Sequence, residues 1–294
     1  MSVGLATLAA MSSLGPGPRS PEPPAFGRGV LHPGLAAGVL GLERHGPAPG
    51  LARSVDYYWL VHWDRRGLPP YEQKVLSHPN VHLVFEEPGA RVHGVDRSLF
   101  VRRLEGAGHA LGVRFRPGGF RAFTGRPVAE LADRSLPAAD FFGPEADRLN
   151  ERVRRAGPDA AALTAAVDAF LLARLPAPDP AVERQAGTAA AVVRRIADGP
   201  DLHRVDRLAA EFGLTVRQLQ RLFAEYVGAP PKWVLRRARL HEAAERADRG
   251  ATVDWAALAA DLGYADQAHF TRDFTAAVGM PPARYAGGGP PGPA

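Results

Sequence analysis

The sequence contains no cysteine among its 294 residues, and no apolar run in it is long enough to cross a bilayer. The absence of cysteine excludes disulfide bonds, thiolate metal sites and cysteine nucleophiles. It also fits the reducing cytoplasm, where we expect the protein to act. We expect no membrane partner. A chain of this length has room for two domains, each large enough to bury its own core.

A strong excess of charge of one sign is also missing. Lys and Arg number 36, against 31 Asp and Glu. Residues 181–287, which carry the motifs described next, contain 15 Lys and Arg and 13 Asp and Glu, so the small basic excess is not concentrated there. Net charge is therefore poor evidence for nucleic-acid binding, and the pattern and placement of residues must support the functional assignment.

The last third of the chain contains one pattern twice. LAAEFG at residues 208–213 returns as LAADLG at residues 258–263, an offset of 50 positions. After these stretches the offset is 51, which pairs Arg221 with Arg272. One extra loop residue between two otherwise equivalent helix pairs would produce this change. The pattern therefore indicates an internal repeat of a folding unit.

Each copy has the parts of a helix-turn-helix. A short helix with one apolar face is followed by a glycine suited to the left-handed conformation, Gly213 in the first copy and Gly263 in the second. Thr215 and Asp266 then provide N-caps for a second helix with a buried apolar stripe. Arginine and glutamine exposed on such a helix can reach base edges bidentately in the major groove. The base-contacting candidates are Arg217, Gln218, Gln220 and Arg221 in the first copy, and Gln267, His269, Thr271 and Arg272 in the second.

The segment between the two copies predicts one long helix. It begins with prolines suited to a first helical turn and ends in glycine. Nineteen residues, Pro231 to Arg249, would span about 28 Å at roughly 1.5 Å per residue. Adjacent major-groove faces lie about 34 Å apart, so such a helix can hold two recognition helices near that spacing. The phosphate-contacting candidates are Thr215, Lys232, Arg236 and Arg237, with Arg239 as a further cation of the same helix.

These residues resemble the AraC/XylS family of transcriptional regulators. The resemblance is carried by LQRLFAEYVGAPPKWVLRRARLHEA and DLGYADQAHFTRDFTAAVGMPPARY, and it covers about residues 183–287. It implies an all-α DNA-binding domain whose two recognition helices, Thr215 to Phe223 and Asp266 to Phe274, enter successive major grooves. Arg217 and His269 occupy positions that the family varies freely, so the resemblance implies no target sequence.

The chain before the repeat predicts a different architecture. Short apolar runs of strand length, broken by Gly and Pro, favour a β-rich, cupin-like barrel or half-barrel, and a helical period follows from Pro144. The predicted fold class is therefore α+β and multidomain. The predicted divisions are a disordered tail at 1–25, a β-rich domain with closing helices at 26–175, a Pro-rich linker at 176–182, the DNA-binding domain at 183–287 and a flexible tail at 288–294.

The front half also resembles the β-rich sensory domains of AraC-type regulators, through LVF, a G-x-G strand and GVRFRPGG. The resemblance implies signal sensing or dimerisation without naming an effector. The aromatic residues of the first long strand could form core or could line a ligand pocket together with an arginine. The effector-binding candidates are Trp59, Trp63 and Arg114.

Two further patterns in the N-terminal half resemble known binding sites. His78, His82 and Glu86 resemble the metal-ligand spacing of cupin barrels, but the two histidines one residue apart are absent, so we predict no metal and no cofactor. Glycines 106, 108 and 112 resemble a nucleotide-binding fingerprint. In that fingerprint the third glycine follows the second after two residues and a helix comes next. Here three residues separate Gly108 from Gly112 and a strand-like run follows, so a turn between strands is favoured.

The sequence thus predicts a sequence-specific transcriptional regulator, activator or repressor, that is not an enzyme. Its expected partners are double-stranded promoter or operator DNA and a small-molecule effector, with RNA polymerase and a second copy of the chain as further candidates. One alternative is a metal-dependent, cupin-like enzyme fused to a regulatory DNA-binding domain. Another is a front domain that only mediates interaction or dimerisation.

Overall fold

The computed structural model describes residues 29–156, 159–199, 202–249 and 253–288. Within these ranges a β-rich N-terminal domain precedes an all-helical C-terminal domain, as the sequence predicted. The predicted tail at 1–25 and residues 289–294 lie outside the described residues. No helix in the described ranges is both long and apolar enough to cross a membrane.

The N-terminal domain contains two antiparallel sheets. Its strands are β1 (Leu40–His45), β2 (Val55–Arg65), β3 (Tyr71–Leu76), β4 (His82–Phe85), β5 (Arg91–His93), β6 (Leu99–Leu104), β7 (Gly106–Phe115) and β8 (Ser135–Pro137). A six-stranded sheet has the order β1-β2-β7-β4-β5-β8, and β3 pairs with β6 in a separate two-stranded sheet, here called the ribbon. The two sheets face each other as a half-barrel, and the described strands do not close into a full barrel.

Helices cover one face of the six-stranded sheet. The N-terminal domain has α1 (Pro33–Ala37), α2 (Arg121–Thr124), α3 (Ala139–Phe142), α4 (Glu145–Arg155) and α5 (Ala160–Leu172). Strand β2 alternates: Tyr58 and Leu60 are fully buried in the core under α4 and α5. The Tyr58 hydroxyl donates to Asp168 Oδ1 on α5 at 2.6 Å, which satisfies a buried polar group and fixes the helix on the sheet.

The opposite face of β2 carries tryptophans packed on glycines. Trp59 lies opposite Gly112 of β7, and Trp63 lies opposite Gly108. A Cβ at Gly112 would lie 1.9 Å from the Trp59 ring, and one at Gly108 would lie 2.7 Å from the Trp63 ring. The absence of these Cβ atoms lets both indoles lie against the β7 backbone. Only Gly106, with φ of 58°, lies at the turn that the sequence predicted for all three glycines.

The C-terminal domain contains α6 (Pro180–Asp198), α7 (Val205–Glu211), α8 (Val216–Tyr226), α9 (Pro231–Asp248), α10 (Trp255–Asp261), α11 (Gln267–Val278) and α12 (Pro282–Ala286). Helices α7 and α8 form the first helix-turn-helix unit and α10 and α11 the second. Gly213 and Gly263 have φ of 65° and 70° at the two turns. The connecting helix α9 has 18 residues, one fewer than predicted.

The first helix of the C-terminal domain begins within the segment that the sequence analysis assigned to the linker. Helix α6 begins at Pro180, and the Asp179 side chain caps it by accepting from the Ala181 and Val182 N–H groups. Residues 180–182, which the sequence analysis placed in the linker, are therefore helical. A proline at the first helical position suits a helix start, because its missing N–H would have no intrahelical partner.

A Gly112→Ala substitution tests the packing of tryptophan on glycine. The added methyl group overlaps the Trp59 ring, so we expect destabilisation by about 1–3 kcal/mol and a changed tryptophan fluorescence spectrum, measured in denaturant titrations. Gly89→Ala is the matched control, because a Cβ there meets open space. Equal stability of the two variants would contradict this account.

Candidate DNA-reading surface and ligand cavity

The first recognition helix, α8, begins with a capping box. The Gln218 N–H donates to Thr215 Oγ1 at 3.2 Å, and the Thr215 N–H donates to Gln218 Oε1 at 2.8 Å. Arg217, Gln220 and Arg221 are exposed beside this cap. Gln218 is exposed too, but its carbonyl oxygen already serves the cap, so its amide N–H groups are the part available to DNA.

The second recognition helix, α11, repeats the arrangement with a different cap. Asp266 Oδ1 accepts from the His269 N–H at 2.7 Å. Gln267, His269 and Arg272 are exposed, and Thr271 is half-buried. The structure therefore places seven of the eight base-contacting candidates on exposed surface near the starts of α8 and α11, with Thr271 partly covered.

The phosphate-contacting candidates divide into two groups. Lys232 and Thr215 are exposed, whereas Arg236 forms an ion pair with Asp273 at 2.8 Å. Arg237 does not fit the predicted role. Its side chain is only 3% exposed, it donates to the Arg97 carbonyl at 2.7 Å, and burial lowers its pKa to about 10.

The reason for this correction is the position of Arg237 on α9. Its guanidinium stacks on Trp233 at 4.7 Å and faces the N-terminal domain, so it serves as an interdomain contact. Arg239 is held in a similar way, stacked on Tyr264 and donating to the Leu262 carbonyl. Of the α9 cations proposed for phosphate, Lys232 remains exposed and Arg236 is engaged in an ion pair.

A cavity of about 840 Å³ lies between the six-stranded sheet and the ribbon. All three predicted effector-binding residues, Trp59, Trp63 and Arg114, line it. Its floor consists of four cross-strand pairs of β2 and β7, namely Tyr57–Arg114, Trp59–Gly112, Val61–Ala110 and Trp63–Gly108. At about 3.3 Å per residue the floor is roughly 20 Å long, polar at the Arg114 end and apolar towards Trp63.

The polar end of the cavity is organised around Arg114. Its guanidinium donates to the Tyr57 hydroxyl and to Asn80 Oδ1, each at 2.9 Å, and lies 3.5 Å from Asp56. Arg44 from β1 stacks on the same Tyr57 ring at 5.1 Å. The sequence analysis missed Arg44 and Asn80. The alternation Leu40, Leu42, Arg44 along β1 was a usable signal for Arg44, whereas nothing in the sequence marked Asn80.

The cavity histidine His82 is held neutral. Burial, with a smaller contribution from Arg114, lowers the pKa of His82 to about 3. Its Nδ1 accepts from the Trp59 indole N–H at 3.2 Å, which fixes the ring and the tautomer. His82 therefore presents a neutral imidazole to the cavity.

The other members of the cupin-like pattern have separate partners. Burial raises the pKa of Glu86, and its carboxylate pairs with Arg102 at 2.9 Å. His78 stacks on His241 of α9 with ring centroids 4.0 Å apart. Among the described residues, no three His, Asp or Glu side chains are placed to hold a metal ion together.

These features define a DNA-binding protein in which a β-rich domain precedes two helix-turn-helix units. Comparison with known families agrees with this division. Residues 208–287 match the family described as a helix-turn-helix domain, and residues 43–137 match a domain of unknown function (DUF6597). The two matches place a helix-turn-helix domain after a separate N-terminal domain, in the order that the sequence analysis predicted.

Comparisons with individual proteins do not extend this assignment. No curated protein matches the chain. Among solved structures, ToxT from Vibrio cholerae at 1.65 Å resolution matches at 9% identity and a TM-score of 0.37, covering 84% of this chain and 97% of that one. Wild-type ToxT from V. cholerae strain SCE256 with a bound unsaturated fatty acid matches at 8% identity and a TM-score of 0.35. This match covers 84% of this chain and 91% of that one. These values are too low to infer a shared function.

The neutral state of His82 has a consequence for pH dependence. The folded pKa of His82, about 3, lies below the unfolded value of about 6.5, so the unfolded state binds a proton first as the pH falls. The contribution of His82 to the free energy of unfolding is therefore fully present above pH 6.5 and is lost as the pH falls towards 3. His82→Gln keeps an acceptor for the Trp59 N–H and cannot take up a proton. We expect its denaturation midpoint to fall less than that of the wild type between about pH 7.5 and pH 5.

Some pH dependence should persist in this variant, because burial also lowers the pKa values of His93 and His241. Denaturant titrations at several pH values give the slope of the denaturation midpoint against pH for the wild type and for His82→Gln. Identical slopes for wild type and His82→Gln would show that His82 does not contribute.

Proposed function

We propose that this protein is a cytoplasmic transcriptional regulator that reads DNA with two recognition helices and responds to a small molecule in the N-terminal cavity. The supporting observation is the duplicated helix-turn-helix. Both α8 and α11 start with a side-chain cap and present exposed Arg and Gln, and one continuous helix, α9, connects the two units.

In this proposal α9 sets the spacing and the recognition helices provide sequence specificity. The 18 residues of α9 span about 27 Å at roughly 1.5 Å per residue, close to the separation of about 34 Å between adjacent major grooves. Lys232 and Thr215 contact phosphate and fix the register. The proposed base contacts are Arg217, Gln218, Gln220 and Arg221 from α8, and Gln267, His269, Thr271 and Arg272 from α11.

The DNA-reading proposal is tested by selecting bound DNA from a random pool with the full-length protein at near-physiological salt. We expect a bipartite motif whose two elements are centred about one helical turn apart. Arg217→Ala should erase one element and Arg272→Ala the other, each weakening binding roughly 5- to 150-fold, as expected for one lost bidentate base contact.

Arg152→Ala is the matched control, since Arg152 is an exposed helical arginine on α4 of the N-terminal domain. It removes the same charge far from the recognition helices in the sequence and should leave the motif intact. Equal weakening on all sequences by Arg217→Ala and Arg272→Ala would mean that the two arginines contact only the backbone.

The cavity supports a ligand class as well. Its floor runs from a polar end with Arg114 to an apolar end with Trp63, and most of the surface that lines the cavity is apolar. Arginines outnumber carboxylates in the lining; they are Arg44, Arg97, Arg102, Arg114 and Arg134, against Glu86, Asp96 and Asp133. A half-buried arginine, Arg114, beside a long apolar floor suits an organic anion with an apolar body, its acidic group at Arg114 and its body over the two tryptophans.

Matched acid and neutral probes test this ligand class. We expect 2-naphthoate to bind more tightly than 2-naphthamide, and decanoate more tightly than decanol, by roughly 10- to 150-fold, the difference that a hydrogen bond to a charged group makes. Tryptophan fluorescence and calorimetry measure the affinities. The aromatic and aliphatic pairs distinguish the two kinds of apolar body.

Arg114→Gln should remove the preference for the acid. Arg116→Gln is the matched control, because Arg116 shares Asp56 with Arg114 but is not part of the cavity lining. Neutral probes that bind as well as the acids, or acids that do not bind at all, would contradict this ligand class and leave DNA reading unaffected.

The alternative of a metal-dependent enzyme has less support, because His78, His82 and Glu86 each have another protein partner. RNA polymerase and a second copy of the chain remain proposed partners. A regulator with two recognition helices can act as an activator or as a repressor.

A further inference from the structure

We propose that the ribbon transmits occupation of the cavity to the second helix-turn-helix unit, while the first unit stays fixed to the six-stranded sheet. This inference rests on the proposed function, because it concerns how a ligand in the cavity would act on the two recognition helices. It is drawn from the contacts between the domains.

The ribbon forms a wall shared by the cavity and the second unit. Gln73 and Val75 of β3, and Arg102 and Leu104 of β6, line the cavity. Leu76, the residue after Val75, is fully buried in the apolar core formed by α9, α10, α11 and α12. Because successive side chains of a strand point to opposite faces, adjacent residues of β3 serve the cavity and the second unit.

Two further contacts connect the ribbon to recognition helix α11 and to α9. Leu99, at the start of β6, packs against the same core, and its Cδ2 lies 3.4 Å from where a Cβ on Gly279 would be. Gly279 is the C-cap of α11. His78, two residues after the end of β3, lines the cavity and stacks on His241 of α9 with ring centroids 4.0 Å apart. A displacement of the ribbon therefore acts directly on α11 and on the C-terminal half of α9, whose Leu240 and Ala243 lie in the core of the second unit.

The segment before β1 strengthens the same connection. The Leu31 N–H donates to the Lys74 carbonyl at 3.1 Å, and the Leu76 N–H donates to the Gly29 carbonyl at 2.7 Å, so residues 29–31 add to the edge of β3. Leu31 is buried in the core of the second unit. The ribbon and this segment therefore both pack against the second unit.

The first unit is held by a different part of the N-terminal domain. Next to β7, the Gly118 N–H donates to the Tyr226 carbonyl at 2.9 Å, and Arg121 pairs with Glu225 at 2.6 Å, both at the C-terminal end of α8. Val95, which follows β5, is fully buried in the core of the first unit. These contacts come from the side of the six-stranded sheet and do not involve the ribbon strands.

Apart from α9, which contributes side chains to both cores, the two units thus have separate supports in the N-terminal domain, with the cavity between these supports. A ligand that separates the ribbon from the cavity floor would move the support of α11 and leave that of α8 in place. Because packed interiors shift as units and do not deform smoothly, a small displacement of the ribbon should reorient the second unit. The relative position of the recognition helices would then depend on the cavity.

Distance measurements between spin labels test this inference without DNA or ligand. The chain has no native cysteine, so labels can be placed in the full-length protein at the exposed alanines Ala224 on α8, Ala276 on α11 and Ala165 on α5. Val75→Trp fills the cavity from the ribbon side. We expect it to shift the 224–276 distance by at least about 2 Å, the size of helix shifts in allosteric transitions, and to leave the 165–224 distance unchanged.

Val101→Trp is the matched control, because Val101 lies on the same ribbon, does not line the cavity and is 44% exposed. It should change neither distance. Leu76→Ala is a second variant that removes the contact itself and should broaden the 224–276 distribution, and Leu76→Met should restore it. Leu83→Ala removes an equally buried leucine from the sheet core and should leave the 224–276 distribution narrow.

Unchanged distances in folded Val75→Trp, or equal shifts in both distances, would overturn the proposal. If Val75→Trp does not fold, the Leu76→Ala distribution decides, and a distribution as narrow as the wild type overturns the proposal. Failure of the proposed function would show itself instead in the DNA selection, which does not depend on these distances.

Discussion

Residues of the N-terminal domain complete the apolar cores of both helix-turn-helix units. Val95 is buried among the side chains of α6, α8 and α9, and Leu31 and Leu76 are buried among those of α9 to α12. A pair of short helices buries little surface alone, so these side chains contribute directly to the stability of each unit. The burial of Arg237 on the Arg97 carbonyl and the stack of His78 on His241 follow from this docking. The domain boundary is thus a packed interface.

The elements that depend on local sequence could be predicted. Gly213, Gly263 and the N-caps Thr215 and Asp266 act within a few residues, so the turns and both recognition helices follow from the printed sequence. The alternation along β2 places Trp59 and Trp63 on one face of the strand, whereas the cavity beside that face depends on the ribbon and does not follow from the sequence. The assignment of Arg237 to phosphate was wrong, because its environment is set by Arg97, 140 positions away. No local pattern carries that information.

The glycines of β7 illustrate a further limit of the sequence. They resembled a fingerprint or a turn, and only Gly106 occupies the turn. Gly108 and Gly112 lie within the strand, where the indoles of Trp63 and Trp59 occupy the space that a side chain would need. That role depends on the cross-strand register between β2 and β7, and register is a tertiary property. The cavity floor therefore results from pairs of residues about 50 positions apart.

The shared cores have a consequence for how such a protein can change by recombination. Exchanging the front domain for that of another regulator would remove Leu31, Leu76 and Val95 at once and leave apolar gaps in both reading units. A functional chimera would need matching side chains at these three positions, even though they belong to neither the cavity floor nor the recognition helices. New combinations of sensor and reader should therefore arise more readily by substitution inside the cavity than by exchange of whole domains.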